Sequence, residues 1–201
     1  MTTATSICSV PGKGPAPNTR LVEMTSELTP GQALELGCGN GGDALWLAQR
    51  GWKVTALDIS ATSVDRLTHN AQAAGFEDRI TATRTDLNQG LPSGEFDLIN
   101  AHYLHAVPSL NRTGLFRIAA HALRPGGHLL IVDHGSTAPW SWNRDPDVHY
   151  PSPHEVNADI DLNPSTWQVL IADARQRMAT GPNGSTTEVT DHILMIRRTE
   201  R

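Results

Sequence analysis

Short apolar runs alternate along the chain with stretches whose apolar positions recur at helical spacing, the pattern of strands followed by covering helices. Ala33 to Leu36, Val54 to Leu57, Ile80 to Arg84, Phe96 to Asn100 and His128 to Asp133 read as buried strands. Helical spacing is expected over Asn18 to Leu28, Asp43 to Arg50, Thr113 to Leu123 and Ser152 to Ile160, and from a cap at Ser60 or Thr62 through Ala74. Gly51 and Gly75 stop two of these helices, as glycine commonly does just past a C-cap. Trp167 to Ala174 and Glu188 to Arg197 read as two final strands, joined by the polar turn Thr180 to Gly184. So short a link makes that pair antiparallel, because a parallel crossover needs a dozen residues or more. The pattern therefore predicts an α/β doubly wound, mostly parallel sheet with one reversed strand near an edge. Residues 1–17 read as a flexible N-terminal lead and 18–201 as a single domain. His134 to Pro151, with its tryptophans and prolines, reads as an irregular loop or lid.

The densest chemistry follows the first strand, in Glu35-Leu36-Gly37-Cys38-Gly39-Asn40-Gly41-Gly42. Glycines there allow a sharp turn and let a ligand approach bare backbone. The helix that opens behind them adds unpaired N–H donors and a positive dipole end, suited to a carboxylate or phosphate. Asp58 ends the second strand, where a carboxylate can accept both hydroxyls of a ribose. The same side chain can instead cap the following helix; its coincidence with the glycine loop favours the ligand. Asp86, past the third strand, can accept from an adenine amino group. Three strand ends thus offer groups to one nucleoside ligand, at the edge where open α/β sheets bind.

The run Ala33 to Ser60 resembles the first motifs of class I S-adenosylmethionine (SAM)-dependent methyltransferases. Phe96-Asp97-Leu98-Ile99 is similar to their fourth motif, and Leu123-Arg124-Pro125-Gly126-Gly127-His128-Leu129 to the turn before their fifth strand. The resemblance covers residues 18–198 and implies a Rossmann-like seven-stranded sheet of order 3-2-1-4-5-7-6, the last strand antiparallel. Within that superfamily, Leu36 to Gly41 with Asp43, and Gly51-Trp52-Lys53-Val54, resemble the tellurite-resistance and thiopurine-type branch. The resemblance implies SAM as cofactor, S-adenosyl-L-homocysteine as product, and a small-molecule methyl acceptor. It further implies that Gly37, Gly39 and Gly41 line the methionine portion and Asp58 holds the ribose, with Glu35 and Asn40 also cofactor-binding. Ile59 and Ser60 would lie beside the adenine, Asp86 and Leu87 would bound the base, and Asn100, Ala101 and His102 would lie near the reacting methyl. Gly37, Gly39 and Gly42 also fit the dinucleotide pattern G-x-G-x-x-G, so an NAD-dependent oxidoreductase is an alternative, as is a non-catalytic SAM-binding protein.

Methyl transfer needs alignment and exclusion of water, and a base only where the acceptor must lose a proton. His102, His105 and His134, past the fourth and fifth strands, are the candidate bases, although nine histidines make chance placement easy. Tyr103, Trp140 and Trp142 are candidates for an aromatic pocket or for loop packing. No histidine pair gains a third close ligand, so no metal is expected. Cys38 reads as a small residue filling space, and it and Cys8 make no disulfide framework, which favours a reducing, cytoplasmic setting. The net charge of −5 lacks the basic stripe a nucleic-acid binder presents to phosphates. No apolar run reaches the length of a membrane span, so neither nucleic acid nor membrane is an expected partner. The pattern leaves the oligomeric state open.

Overall fold

The computed structural model describes residues 15–104, 109–141, 145 and 147–199. Seven strands form one sheet: β1 (Gln32–Leu36), β2 (Lys53–Asp58), β3 (Ile80–Arg84), β4 (Phe96–His102), β5 (Leu123–His134), β6 (Trp167–Thr180) and β7 (Thr186–Arg198). Their order is β3-β2-β1-β4-β5-β7-β6, as the resemblance implied. The first five are parallel, and β7 runs antiparallel to both β5 and β6. The helices are α1 (Thr19–Thr25), α2 (Gly42–Gln49), α3 (Ala61–Ala74), α4 (Arg112–His121) and α5 (Pro153–Ile160).

Alternation along each strand separates two cores, one on each sheet face. Leu34, Leu36, Ile99, Phe116, Ile131 and Leu194 pack on the side of α4 and α5. Leu21, Ala33, Leu47, Trp52, Leu98, Leu130 and Ile193 pack on the side of α1 to α3. Burying each such aliphatic chain is worth about 1.5–3 kcal/mol, so the two layers together fix the sheet. Helix ends follow local chemistry. Ser60 caps α3 through Ser63 N, and Gly75 closes it at φ 73°. Ser152 and Glu155 form a reciprocal capping box on α5, with proline in its first turn.

Several boundaries differ from expectation. α1 stops at Thr25, where the Thr25 hydroxyl donates back to Leu21 O, instead of running to Leu28. β5 starts at Leu123, before the expected turn. Phe96 pairs Leu123 and Leu98 pairs His128, so Arg124 to Gly127 form an irregularity inside the strand. β6 and β7 both extend to the turn, because cross-strand pairing continues beyond the apolar residues as far as Thr180–Thr186. Residues 135–151 hold no helix or strand among those described.

Candidate active site at the C-terminal edge of the sheet

β1 feeds a loop that three left-handed glycines fold back: Gly37 (φ 83°), Gly39 (φ 49°) and Gly41 (φ 79°). Gly37 N and Cys38 N both donate to Leu57 O, at 2.8 and 2.9 Å, which pins the loop to β2. A Cβ on Gly41 would stand 2.7 Å from Leu67 Cδ1, so glycine is needed there for space as well as for φ. Above Gly39 there is open space. The Asp58 carboxylate reaches the loop from the end of β2. One oxygen accepts from Gly39 N and the other from Ser60 N, each at 2.9 Å. Capping of α3 itself falls to Ser60, so Asp58 is not consumed as its cap. Ile59 beside it is strongly exposed, at 63%. Asp86 caps the 3-10 turn Leu87–Gln89 through Asn88 N, and Leu87 is half-buried.

A cavity of about 380 Å³ opens over the loop, a volume within the range of small-molecule sites. Of the expected residues, Glu35, Gly37, Asn40, Gly41 and His102 line it. Asp58 to Ser60, Asp86 and Leu87 lie along the same sheet edge outside its wall, and Asn100 and Ala101 are buried beneath it. Glu35 is 3% exposed, and its Oε2 has no hydrogen-bond partner. Burial first, then the charges of Asp43 and Asp58, hold its carboxyl well above the usual range. Asn100, the register partner of Glu35, is wholly buried with both amide atoms unpartnered. Burial, reinforced by Glu35 and Asp58, pushes the Cys38 thiol up to about 12, so it stays an unreactive thiol.

The histidines separate. His102 Nδ1 stands 2.6 Å from Asp43 Oδ2, its side chain 7% exposed and its Nε2 buried without a partner. His134 stacks on Tyr103, ring centroids 4.2 Å apart at 20°. His105 lies outside the described residues. Tyr103 holds a left-handed φ of 57°, a conformation that costs a non-glycine residue energy and recurs at functional sites. Its hydroxyl donates to Asp191 Oδ1 at 3.2 Å, and burial, then Asp191, raises its pKa. Trp140 packs on the turn at Gly181 and is not in the cavity wall; Trp142 lies outside the described residues. No group of three metal-ligating side chains occurs among the described residues, and no described helix is long and apolar enough to cross a membrane.

A family profile described as a methyltransferase domain matches residues 33–127, the stretch that carries the glycine loop, Asp58 and β4. An uncharacterized methyltransferase of Synechocystis is 31% identical over 148 residues, 73% of this chain and 64% of its own length. A SAM-dependent Diels-Alderase of Talaromyces variabilis is 34% identical over 108 residues, 50% of this chain and 35% of that protein. The chain thus spans less than two thirds of the length of these curated relatives. A solved structure concerned with converting a disulfide bond into a thioacetal group during echinomycin biosynthesis shares the fold. Its TM-score is 0.71 at 24% identity, covering 92% of this chain and 82% of that one. Residues 33–127 thus match a methyltransferase domain, and the chain has the seven-stranded fold of that solved structure.

The methyltransferase-domain match over the glycine loop favours SAM over a dinucleotide as the ligand there. The cavity suits such a ligand chemically. A buried carboxyl oxygen without a partner, Glu35 Oε2, belongs to a residue of its wall, and open space lies over Gly39. Such an oxygen matches a multi-donor group like an amino acid's ammonium.

Some of the candidate site was not foreseen in the sequence. Residues 16–19, at the end of the expected lead and the start of α1, form one cavity wall. Arg177 of β6 forms another. Asp191 of β7 is wholly buried between Arg20 Nε (3.1 Å) and Arg177 Nε (2.8 Å). The Asp43 carboxylate binds both His102 and Asn18 N. An acidic residue at a helix start beside a histidine-bearing strand end was the available signal for Asp43. Nothing local signals a pair as distant in sequence as Arg20 and Asp191.

Proposed function

We propose that this chain transfers the methyl group of SAM to a small-molecule acceptor, within a single domain spanning residues 18–201 of a cytoplasmic protein. The observation that carries the reading is the Asp58 carboxylate. Two backbone N–H groups pin it at the end of β2, beside a glycine-loop cavity whose wall holds Glu35 with its Oε2 unpartnered. A carboxylate so fixed presents its remaining lone pairs to the two hydroxyls of a ribose without having to reorganise. In this reading Glu35, Gly37, Gly39, Asn40 and Gly41 hold the methionine end. Ile59 and Ser60 flank the adenine, and Asp86 and Leu87 bound it. Asn100, Ala101 and His102 stand near the reacting methyl.

Bound SAM supplies an electrophilic methyl on a sulfonium whose leaving group is a neutral thioether. The protein's task is alignment, exclusion of water and, for a protic acceptor, removal of a proton. Residues 16–19 and Tyr103 line the cavity. His102, His134 and His105 are the candidate bases, and the Asp43 pairing favours His102 among them. A small-molecule acceptor accords with the acidic composition, since counterions around nucleic acid are displaced by basic surface. No metal has a part in the proposal.

A second reading, SAM held without methyl transfer, draws on the similarity to a protein named as a SAM-dependent Diels-Alderase. Titration with SAM, S-adenosylhomocysteine and NAD, followed by a screen of hydroxyl, amine and thiol acceptors, separates the two. One-site binding of both SAM compounds with methylated product supports transfer. Binding with no product from any acceptor class supports the second reading, and binding of NAD alone sinks both.

A further inference from the structure

Asp43 sits in the first turn of α2 with its side chain 13% exposed, and its two oxygens serve different elements. Oδ2 meets His102 Nδ1, and Oδ1 accepts from Asn18 N, both at 2.6 Å. Asn18 ends the strap of residues 15–18, which lies on the glycine loop so closely that a Cβ on Gly42 would stand 2.4 Å from Ala16 O. An ionised carboxylate can only accept, so its contact with Nδ1 places a proton there. In a neutral imidazole the other nitrogen, Nε2, then carries the lone pair. That atom is buried and has no protein partner, and His102 is a residue of the cavity wall. The remaining titratable groups of this wall are Glu35 from β1, Cys38 of the glycine loop, Tyr103 after β4 and Arg177 from β6. His102 Nδ1 pairs with Asp43 and with none of these.

We propose that Asp43 is a positioning residue that fixes the His102 proton on Nδ1, making Nε2 the base for a hydroxyl or amine acceptor, and that the seated strap holds Asp43 in place for this. The inference rests on the methyl-transfer reading and narrows its acceptor to one with a proton to lose. In the step, the acceptor's proton passes to Nε2. The acceptor's electron pair forms the bond to the methyl carbon, and the pair of the broken carbon–sulfur bond stays on sulfur. Asp43 balances the imidazolium that results. A thiolate acceptor needs no such base.

The first test is the ¹⁵N spectrum of the histidine side chains at mildly alkaline pH, with and without S-adenosylhomocysteine, His102 being assigned by its loss in His102→Gln. The wild type should show Nδ1 protonated and Nε2 bare. Asp43→Asn, whose amide can donate to Nδ1, should move the proton to Nε2. With a hydroxyl or amine acceptor Asp43→Asn should lose about a hundred- to ten-thousand-fold in kcat while KM for SAM changes little. Asn18→Pro keeps a φ near the observed −62° but removes the N–H, whereas Asn18→Ala keeps the N–H; both lose the side chain's helix cap and its contact with Tyr103, so the first should lose the more kcat. A bare Nδ1, a doubly protonated ring, or a tautomer unmoved in Asp43→Asn overturns the proposal. So does equal loss with thiol and hydroxyl acceptors. The wild-type spectrum decides even if a variant fails to fold. Calorimetry on the same samples keeps the two ideas apart. Absence of S-adenosylhomocysteine binding sinks the methyl-transfer reading, whereas binding with the wrong tautomer sinks only the dyad.

Discussion

Asp58 and Glu35 are both carboxylates at the end of the sheet, yet their surroundings assign them opposite behaviour. Asp58 is fed by two backbone N–H donors, while Glu35 is enclosed with one oxygen unpartnered. Asp58→Ala removes an acceptor of charge-assisted hydrogen bonds, worth about 1.5–3 kcal/mol each. Affinity for S-adenosylhomocysteine should therefore fall at least about ten- to hundred-fold by calorimetry, at about 1.4 kcal/mol per tenfold. Unchanged affinity would remove Asp58 from the ribose site. For Glu35 the prediction is one of pH. Its folded pKa lies above the ordinary 4.5, so the folded state binds the extra proton between those two values. That contribution to stability is full below 4.5 and is lost as pH rises through the folded value. Glu35→Gln should flatten this decline in melting temperature against pH and raise the neutral-pH melting temperature. It should also weaken S-adenosylhomocysteine binding. Parallel melting curves for the two proteins at every pH would show that Glu35 carries no strain of burial.

At the scale of elements, the N-terminal segment and the β6–β7 pair are tied together through one buried charge. Asp191 takes Arg20 from α1 and Arg177 from β6, and Arg20 also donates to the carbonyls of Arg175 and Gln176. Asp191→Ala leaves two guanidinium groups facing an empty, buried site. It should cost about 3–5 kcal/mol in denaturant unfolding, far more than the same change at a surface ion pair. The strap makes a smaller demand. Gly42→Ala drives a methyl into the Ala16 carbonyl, and backbone there can yield by lifting from the loop. The expected result is a new proteolytic cut ahead of α1, with a stability loss of no more than about 1–3 kcal/mol. Rapid proteolysis of β-sheet segments in the variant would instead show that the strap supports the fold.

These ties also mark where the sequence stops being informative. The strand–loop–helix unit around Gly37 to Gly42 was legible because each of its requirements is local: an apolar run, left-handed turns and a helix start. The antiparallel β6–β7 pair was legible from its short link, while its full length was not, since pairing beyond Ala174 continues through polar residues. β5 was misread at its start because Pro125-Gly126-Gly127 has turn chemistry, and only pairing of Leu123 with Phe96 carries the strand across it. The dyad and the arginine–aspartate cluster are side-chain meetings between elements far apart in the chain, and no periodicity encodes them.

For the whole molecule, the cavity wall is assembled from β1, the glycine loop, the end of β4, β6 and the strap, so a ligand there bridges several elements at once. Binding to the folded state alone stabilises by about 2.7 kcal/mol when ligand is at a hundred times Kd. A domain of this size gains about 2–4 °C per kcal/mol. Saturating S-adenosylhomocysteine should then raise the melting temperature by roughly 5–10 °C. NAD should leave it unmoved. The gain should shrink in Asp58→Ala through lost contacts, and in Gly42→Ala through a strap that must first be reseated. Because the strap and the loop close one cavity, the ligand should also protect the cut ahead of α1 in Gly42→Ala. Ligand-induced stabilisation without that protection would place the bound molecule on the sheet edge alone, with the strap outside the binding unit.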